Sequence, residues 1–143
     1  MMQDISVRRL DTKETENALQ LVWQVFMEFE APDYTDEGID EFNKSIHDND
    51  FLSKLTIYGA FLNGDLCGVI ATRNSGKHIS LFFVDGKYHR QGIGKKLFLT
   101  VKTDNMTVNS SPYAVPVYQR LGFKKTDKEQ SVNGLRFIPI KLS

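Results

Sequence analysis

The sequence predicts an α/β domain, and three observations carry that prediction. Ala18, Leu21, Val22, Val25, Phe26 and Phe29 recur at helical spacing early in the chain. Two β-rich runs, 54–62 and 66–73, flank Asn63, Gly64 and Asp65, the chemistry of a tight antiparallel hairpin. The apolar run Ile79, Ser80, Leu81, Phe82, Phe83, Val84 then ends in a glycine-containing turn that opens another amphipathic helix.

In chain order, Ile5, Val7 and Leu10 suggest a short first strand. Asp11 and Glu14 have capping-box spacing at the start of the first helix. Glu30, Ala31, Pro32, Asp33 and Tyr34 break that helix, and Thr35 can cap a second one carrying Ile39, Phe42 and Ile46 on one side. The hairpin and a turn at Asn74, Ser75 and Gly76 lead to the apolar strand. In the helix after it, Ile93, Leu97, Phe98 and Val101 face inward. A short strand over 106–109 precedes another helix, which Pro116 confines to a start nearer Ala114 than Ser111. The tail, 123–125 and 135–141, reads as a closing hairpin around Asn133 and Gly134.

With 143 residues, 41% hydrophobic and 11% aromatic, the chain can bury one sizeable core, so a single domain over 1–143 is expected. Lys plus Arg equals Asp plus Glu at 18 each, which argues against a nucleic-acid or anionic-membrane partner. No apolar run approaches the ~20 residues that span a bilayer, and the start lacks the long hydrophobic region of a secretory signal, so a cytoplasmic location is expected. Cys67 is the lone cysteine, which excludes an internal disulfide, and no metal site is indicated. Its place in an apolar run reads as a small core residue.

The turn between Val84 and Phe98 carries the chemistry. A strand, a glycine turn and a helix start point unpaired backbone N–H groups at whatever lies in front, and the helix dipole favours an anion there. Each such bond to a charged phosphate oxygen contributes roughly 1.5 to 3 kcal/mol. A mononucleotide loop would need glycine at 89 and a hydroxyl at 96, where the chain has His89 and Lys96. A dinucleotide fingerprint starting at Gly92 fails at Leu97, where a small residue must let helix and strand approach.

The block HRQGIG, 89–94, with its small positions at Gly92 and Gly94, is followed by Tyr118, Gly122 and Phe123 in a YxxxGF pattern. In this order and separation the two motifs resemble the GNAT superfamily of acetyl-CoA-dependent N-acetyltransferases, with His89 replacing the usual glutamine or arginine. The resemblance implies an α/β fold around a mixed, strongly twisted sheet, in the order β-α-α-β-β-β-α-β-α-β-β, whose central strands splay apart. It also implies acetyl-CoA as co-substrate, with pantetheine pairing to the backbone of Phe82, Phe83 and Val84. The amides of His89, Arg90, Gln91, Gly92, Ile93 and Gly94 would receive the pyrophosphate, Arg90 or Lys95 adding charge, while Asn109 or Ser111 would touch CoA. Tyr118 would serve as the acid for the departing thiolate, with Tyr113 a weaker substitute. Exposed sheet edges in relatives make a homodimer compatible with the resemblance.

Each residue also has a structural reading. Periodicity alone makes Tyr118 a core aromatic with Val115 and Leu121. Ser111 before Pro112 is a natural helix cap. Lys96 belongs to a solvated charge run. For the base, Glu28, Glu30 and Asp33 near the first helix end, and His78 with Ser80 alternating along the apolar strand, stand as candidates. His47 has no partner pattern. The activity implied is transfer of an acetyl group to a primary amine, of a small molecule or a protein, by direct attack. The alternative is a CoA-binding sensor of the same fold that has lost catalysis.

Overall fold

The computed structural model describes residues 4–142. The first strand, β1 (Ile5–Arg9), leads to a 3-10 turn closed by the expected capping box: the Glu14 amide donates to Asp11, and the Asp11 amide to the Glu14 carboxylate. The first helix, α1 (Thr15–Val25), buries Ala18, Leu21, Val22 and Val25. Its last turn, Phe26–Glu30, widens into a π-helical turn before Ala31–Asp33 tighten into a 3-10 turn around Pro32. Such a bulge re-aims the side chains after it, here Phe29 and Glu30. Thr35 caps α2 (Asp36–Ser45), accepting from the Gly38 amide.

Asp48 then caps a short helix, α3 (Asn49–Ser53), that the sequence reading missed. Lys54 and Leu55 therefore close a helix, and β2 (Thr56–Leu62) begins at Thr56. The hairpin to β3 (Asp65–Arg73) has both turn residues at positive φ, 53° at Asn63 and 85° at Gly64, which matches the right-handed twist of the strands. Asn74, Ser75 and Gly76 turn the chain into β4 (His78–Val84). The cradle turn and α4 (Ile93–Val101) follow, then β5 (Thr107–Ser110), α5 (Val115–Arg120) and β6 (Phe123–Lys125). Ala114 is the N-cap of α5 and Pro116 lies in its first turn, where a missing N–H costs nothing.

The expected closing hairpin needs correction. Asn133 and Gly134 turn between an additional strand, β7 (Gln130–Val132), and β8 (Leu135–Leu142), while β6 pairs with the far end of β8. A long β8 can hold both because β7 uses its first half and β6 its last three residues. The strand order is β1-β2-β3-β4-β5-β8-β6, with β7 against β8. The β4–β5 pair is parallel and the remaining pairs among the described residues are antiparallel, so the sheet is mixed as expected.

Apolar clusters cover both faces of the sheet. On one face α1 and α2 pack through Val22, Phe26 and Phe42 onto Val69, Leu81 and Phe83. On the other, α4 and α5 pack through Leu97, Phe98 and Tyr118 onto Ile70, Ile79 and Ile140. Ile79 and Leu81, two positions apart, reach opposite faces because the β3–β4 register shifts there: Thr72 pairs with Ile79 and Ala71 with Leu81, leaving Ser80 as the extra residue of a bulge. His78 and Ser80, expected on one face, both line one cavity.

Candidate active site

The site begins with a gap in the sheet. On one side β4 pairs with β3 along its length, but on the other it meets β5 only at His78↔Thr107 and Ile79↔Val108. Beyond Ile79 the two strands part, β5 being held by β8 instead. The alternation of an antiparallel ladder decides which groups face the opening. The Asp85 amide donates to the Cys67 carbonyl at 2.9 Å, so Phe83 opposite Val69 is also a hydrogen-bonded pair. Phe82 and Val84 are the intervening residues, and their main-chain groups point into the gap. Phe83, expected to offer its backbone as well, has that backbone bonded to β3.

The turn after β4 is built from short-range bonds. Asp85 caps the 3-10 turn Gly86–Tyr88 by accepting from the Lys87 amide. The His89 amide donates to the Gly86 carbonyl at 3.2 Å, which removes it from the expected set of anion donors. Its imidazole Nε2 lies 2.8 Å from the Val84 carbonyl and donates to it, so this ring braces the gap instead of offering its proton to a phosphate. Beyond it the backbone reverses handedness twice, with φ of 66° at Arg90 and 83° at Gly92, before α4 starts in the right-handed region. A left-handed residue followed by a right-handed one makes successive N–H groups converge, the geometry of an anion nest. The Lys96 amide bonds back to the Gly92 carbonyl, and among the described residues no well-formed hydrogen bond consumes the amides from Arg90 to Lys95. The Lys96 ammonium donates to the Ile5 carbonyl of β1, outside the cradle.

Two cavities open on this gap. The larger, about 470 Å³, is lined by Phe82, Val84, His89, Arg90 and the start of α4, including Gly92, Gly94 and Lys95. The smaller, about 270 Å³, lies toward α2 and the β7–β8 hairpin, and takes in Arg73, His78 and Ser80. They share a wall of Glu30, Phe82, Phe83, Ala114 and Tyr118. Gln91 is exposed and lines neither. Asn109 and Ser111, expected on the CoA side, line the smaller cavity. The Ser111 hydroxyl accepts from the Ala114 amide at 3.2 Å, which closes the turn leading into α5, whose N-cap is Ala114.

The shared wall holds the titratable pair. Tyr118 is buried, packed edge-on against Phe82 with ring centroids 5.8 Å apart and against Phe123 at 5.4 Å. Burial, with the charge of Glu30 adding to it, raises its phenol well above the ordinary tyrosine value. Glu30, at the end of the π-helical turn, is pushed up to about 7 by burial, with Ser111 pulling it down and Asp33 pushing it further up. Glu28 and Asp33 are exposed and line neither cavity, which separates them from Glu30. His78 lines the smaller cavity, where burial and then the Arg73 charge lower it to about 4, and its Nδ1 lies 2.8 Å from the Thr107 hydroxyl.

Some participants were invisible in the sequence. Phe29 stacks between His89, at 4.9 Å between centroids, and Tyr113, at 5.9 Å, and so links the cradle turn to the approach of α5. Arg73, at the end of β3, faces the smaller cavity. A charged residue closing the strand after the largely apolar run 66–71 was the one signal for it.

A family model described as an acetyltransferase (GNAT) domain matches residues 30–143. Among solved structures, a GCN5-related N-acetyltransferase from Rhodopseudomonas palustris is 18% identical, with a TM-score of 0.85, covering 100% of this chain and 98% of that one. The PaiA N-acetyltransferase from Thermoplasma acidophilum, solved in complex with coenzyme A, is 16% identical with a TM-score of 0.78, over 97% and 98%. A GNAT family acetyltransferase from Elizabethkingia anophelis with acetyl-CoA bound is 17% identical with a TM-score of 0.59, over 96% and 97%. At these identities the likeness establishes the fold. No protein of curated function matches the sequence.

Proposed function

The chain belongs to the GNAT acetyltransferase family, and from that premise we propose that it moves an acetyl group from acetyl-CoA to a primary amine by direct attack. The observation that carries the reading is the wall of Glu30 and Tyr118 between two cavities, one lined by the anion nest and the other by acceptor-sized space. Pantetheine pairs with the main-chain groups of Phe82 and the Val84 amide as a short added strand, and the pyrophosphate sits on the amides from Arg90 to Gly94, with Arg90 and Lys95 supplying charge. The thioester then lies at Tyr118, and the amine approaches from the smaller cavity.

Glu30 is the base among the candidates because it alone of the carboxylates named borders both cavities. A carboxyl raised to about 7 is matched to proton transfer near neutral pH. The amine nitrogen forms its bond to the acetyl carbon as the carbon–sulfur bond breaks, and Glu30 accepts the amine proton. The raised Tyr118 phenol keeps its proton throughout the working pH range. A free thiol has a pKa of about 8.5 and a phenol about 10, so full transfer to sulfur runs uphill. Tyr118 therefore acts chiefly by donating a hydrogen bond to the departing thiolate, which is then protonated by the Glu30 carboxyl that took the amine proton, a downhill transfer from about 7 to about 8.5.

Thiol release from acetyl-CoA over an amine panel tests the reading, and Cys67, fully buried, does not add to a thiol signal from the folded protein. Melting temperatures with acetyl-CoA, CoA, ATP and NAD are recorded alongside. Stabilisation by the CoA compounds together with amine-dependent thiol release is expected. Stabilisation without release from any amine would favour the sensor alternative, and stabilisation by ATP or NAD alone would overturn the donor site.

A further inference from the structure

The smaller cavity holds two buried polar atoms with no hydrogen-bond partner, the Arg73 Nε and the Ser80 hydroxyl oxygen. An unsatisfied buried donor is destabilising, so two in one cavity call for an explanation. Arg73 makes no ion pair among the described residues. The other guanidinium there is committed: Arg136 is paired with Glu129 at 2.9 Å and donates to the Asp33 carbonyl at 3.0 Å. Glu41, on the α2 wall, accepts from the Asn133 side chain at 3.4 Å. His78, opposite Arg73 in the β3–β4 register, is held mostly neutral at physiological pH. The cavity therefore has one uncommitted cation, and in its lining a hydroxyl on the β4 bulge without a partner.

Resting on the acetyl-transfer reading above, we propose that the acceptor is a small amine bearing a carboxylate, an amino acid or a close analogue, held through that carboxylate by Arg73 and Ser80. An arginine fork and a hydroxyl donor together form a carboxylate clamp. Arg73, Ser80, Glu30 and Tyr118 all line this one cavity, and Tyr118 packs on Phe82. A compact amino acid held there would place its nitrogen toward Glu30 and its acid end toward Arg73. A diamine would present a second cation to Arg73 and is disfavoured.

The test compares kcat/KM for thiol release across amino acids, the amide of each and the amine left when its carboxylate is removed. The acid is expected to exceed both partners by about tenfold or more, the scale of one charged hydrogen bond. Arg73→Gln should shrink that preference to within about threefold, and Arg73→Lys should keep part of it, since charge survives while the fork is lost. Ser80→Ala, a smaller change in the bulge, provides a second reading of the same preference should Arg73→Gln fold poorly. Turnover of diamines or amides equal to or better than that of the acids, or a preference unmoved in Arg73→Gln and Ser80→Ala alike, would overturn the inference while leaving acetyl transfer intact. Absence of acetyl-CoA binding would overturn both.

Discussion

Replacing Glu30 with glutamine separates the cost of the candidate base from its use. Burial moves this carboxyl from 4.5 to about 7, so the unfolded chain ionises it first. The stability tied to its proton is fully present below 4.5 and is lost as pH rises through about 7. At about 1.4 kcal/mol per pH unit the whole difference is roughly 3 kcal/mol, and partial solvent access from two cavities reduces it to about 2. Urea unfolding of wild type and Glu30→Gln at pH 5 and pH 8 reads this directly. The variant should gain about 2 kcal/mol on wild type between those two values. In activity, wild-type kcat/KM should carry an inflection near 7 on top of the amine's own titration, and the variant should lose that inflection and fall about a hundredfold or more. Identical pH dependences of stability, or an inflection near 7 surviving in the variant, would refute the assignment.

Tyr118→Phe keeps the ring packed against Phe82 and Phe123, so stopped-flow or steady-state assays should show kcat down by about a hundredfold with CoA affinity nearly unchanged. Gly92 sits at φ 83°, and Gly92→Ala should cost about 1 kcal/mol in urea unfolding and weaken CoA binding measured by calorimetry. A Cβ at Gly38 would overlap the Gly134 carbonyl, so Gly38→Ala should push the β7–β8 hairpin away from α2. That variant should lose about 1 to 3 kcal/mol and raise KM for the acceptor more than for acetyl-CoA.

What the sequence disclosed was mostly local. The Asp11 capping box, the Thr35 cap and the Asn63-Gly64 turn are set within a few residues, and each lies where its chemistry required. The Gly92 turn belongs with them, because a positive φ before a helix is a property of a short segment. The errors were failures of long-range information. Assigning 123–125 to the closing hairpin missed that β8 is long enough to pair with two strands at once. Treating 82–84 as equivalent missed the alternation that leaves Phe83 bonded to β3, which only the register reveals. Glu30 stood beside Glu28 and Asp33 as an equal candidate until the fold placed it alone of the three on both cavities. Arg73 and Ser80 gained meaning once the bulge and cavity brought them together.

Titration of 15N-labelled protein with acetyl-CoA tests the central claim most directly, because each amide in the gap reports separately. The amides of Gly92, Ile93 and Gly94 should shift together with those of Phe82 and Val84, while Phe83 and His89, already bonded to Val69 and Gly86, shift much less. Shifts concentrated outside the β4–β5 gap, or the same pattern produced equally by ATP, would contradict the account.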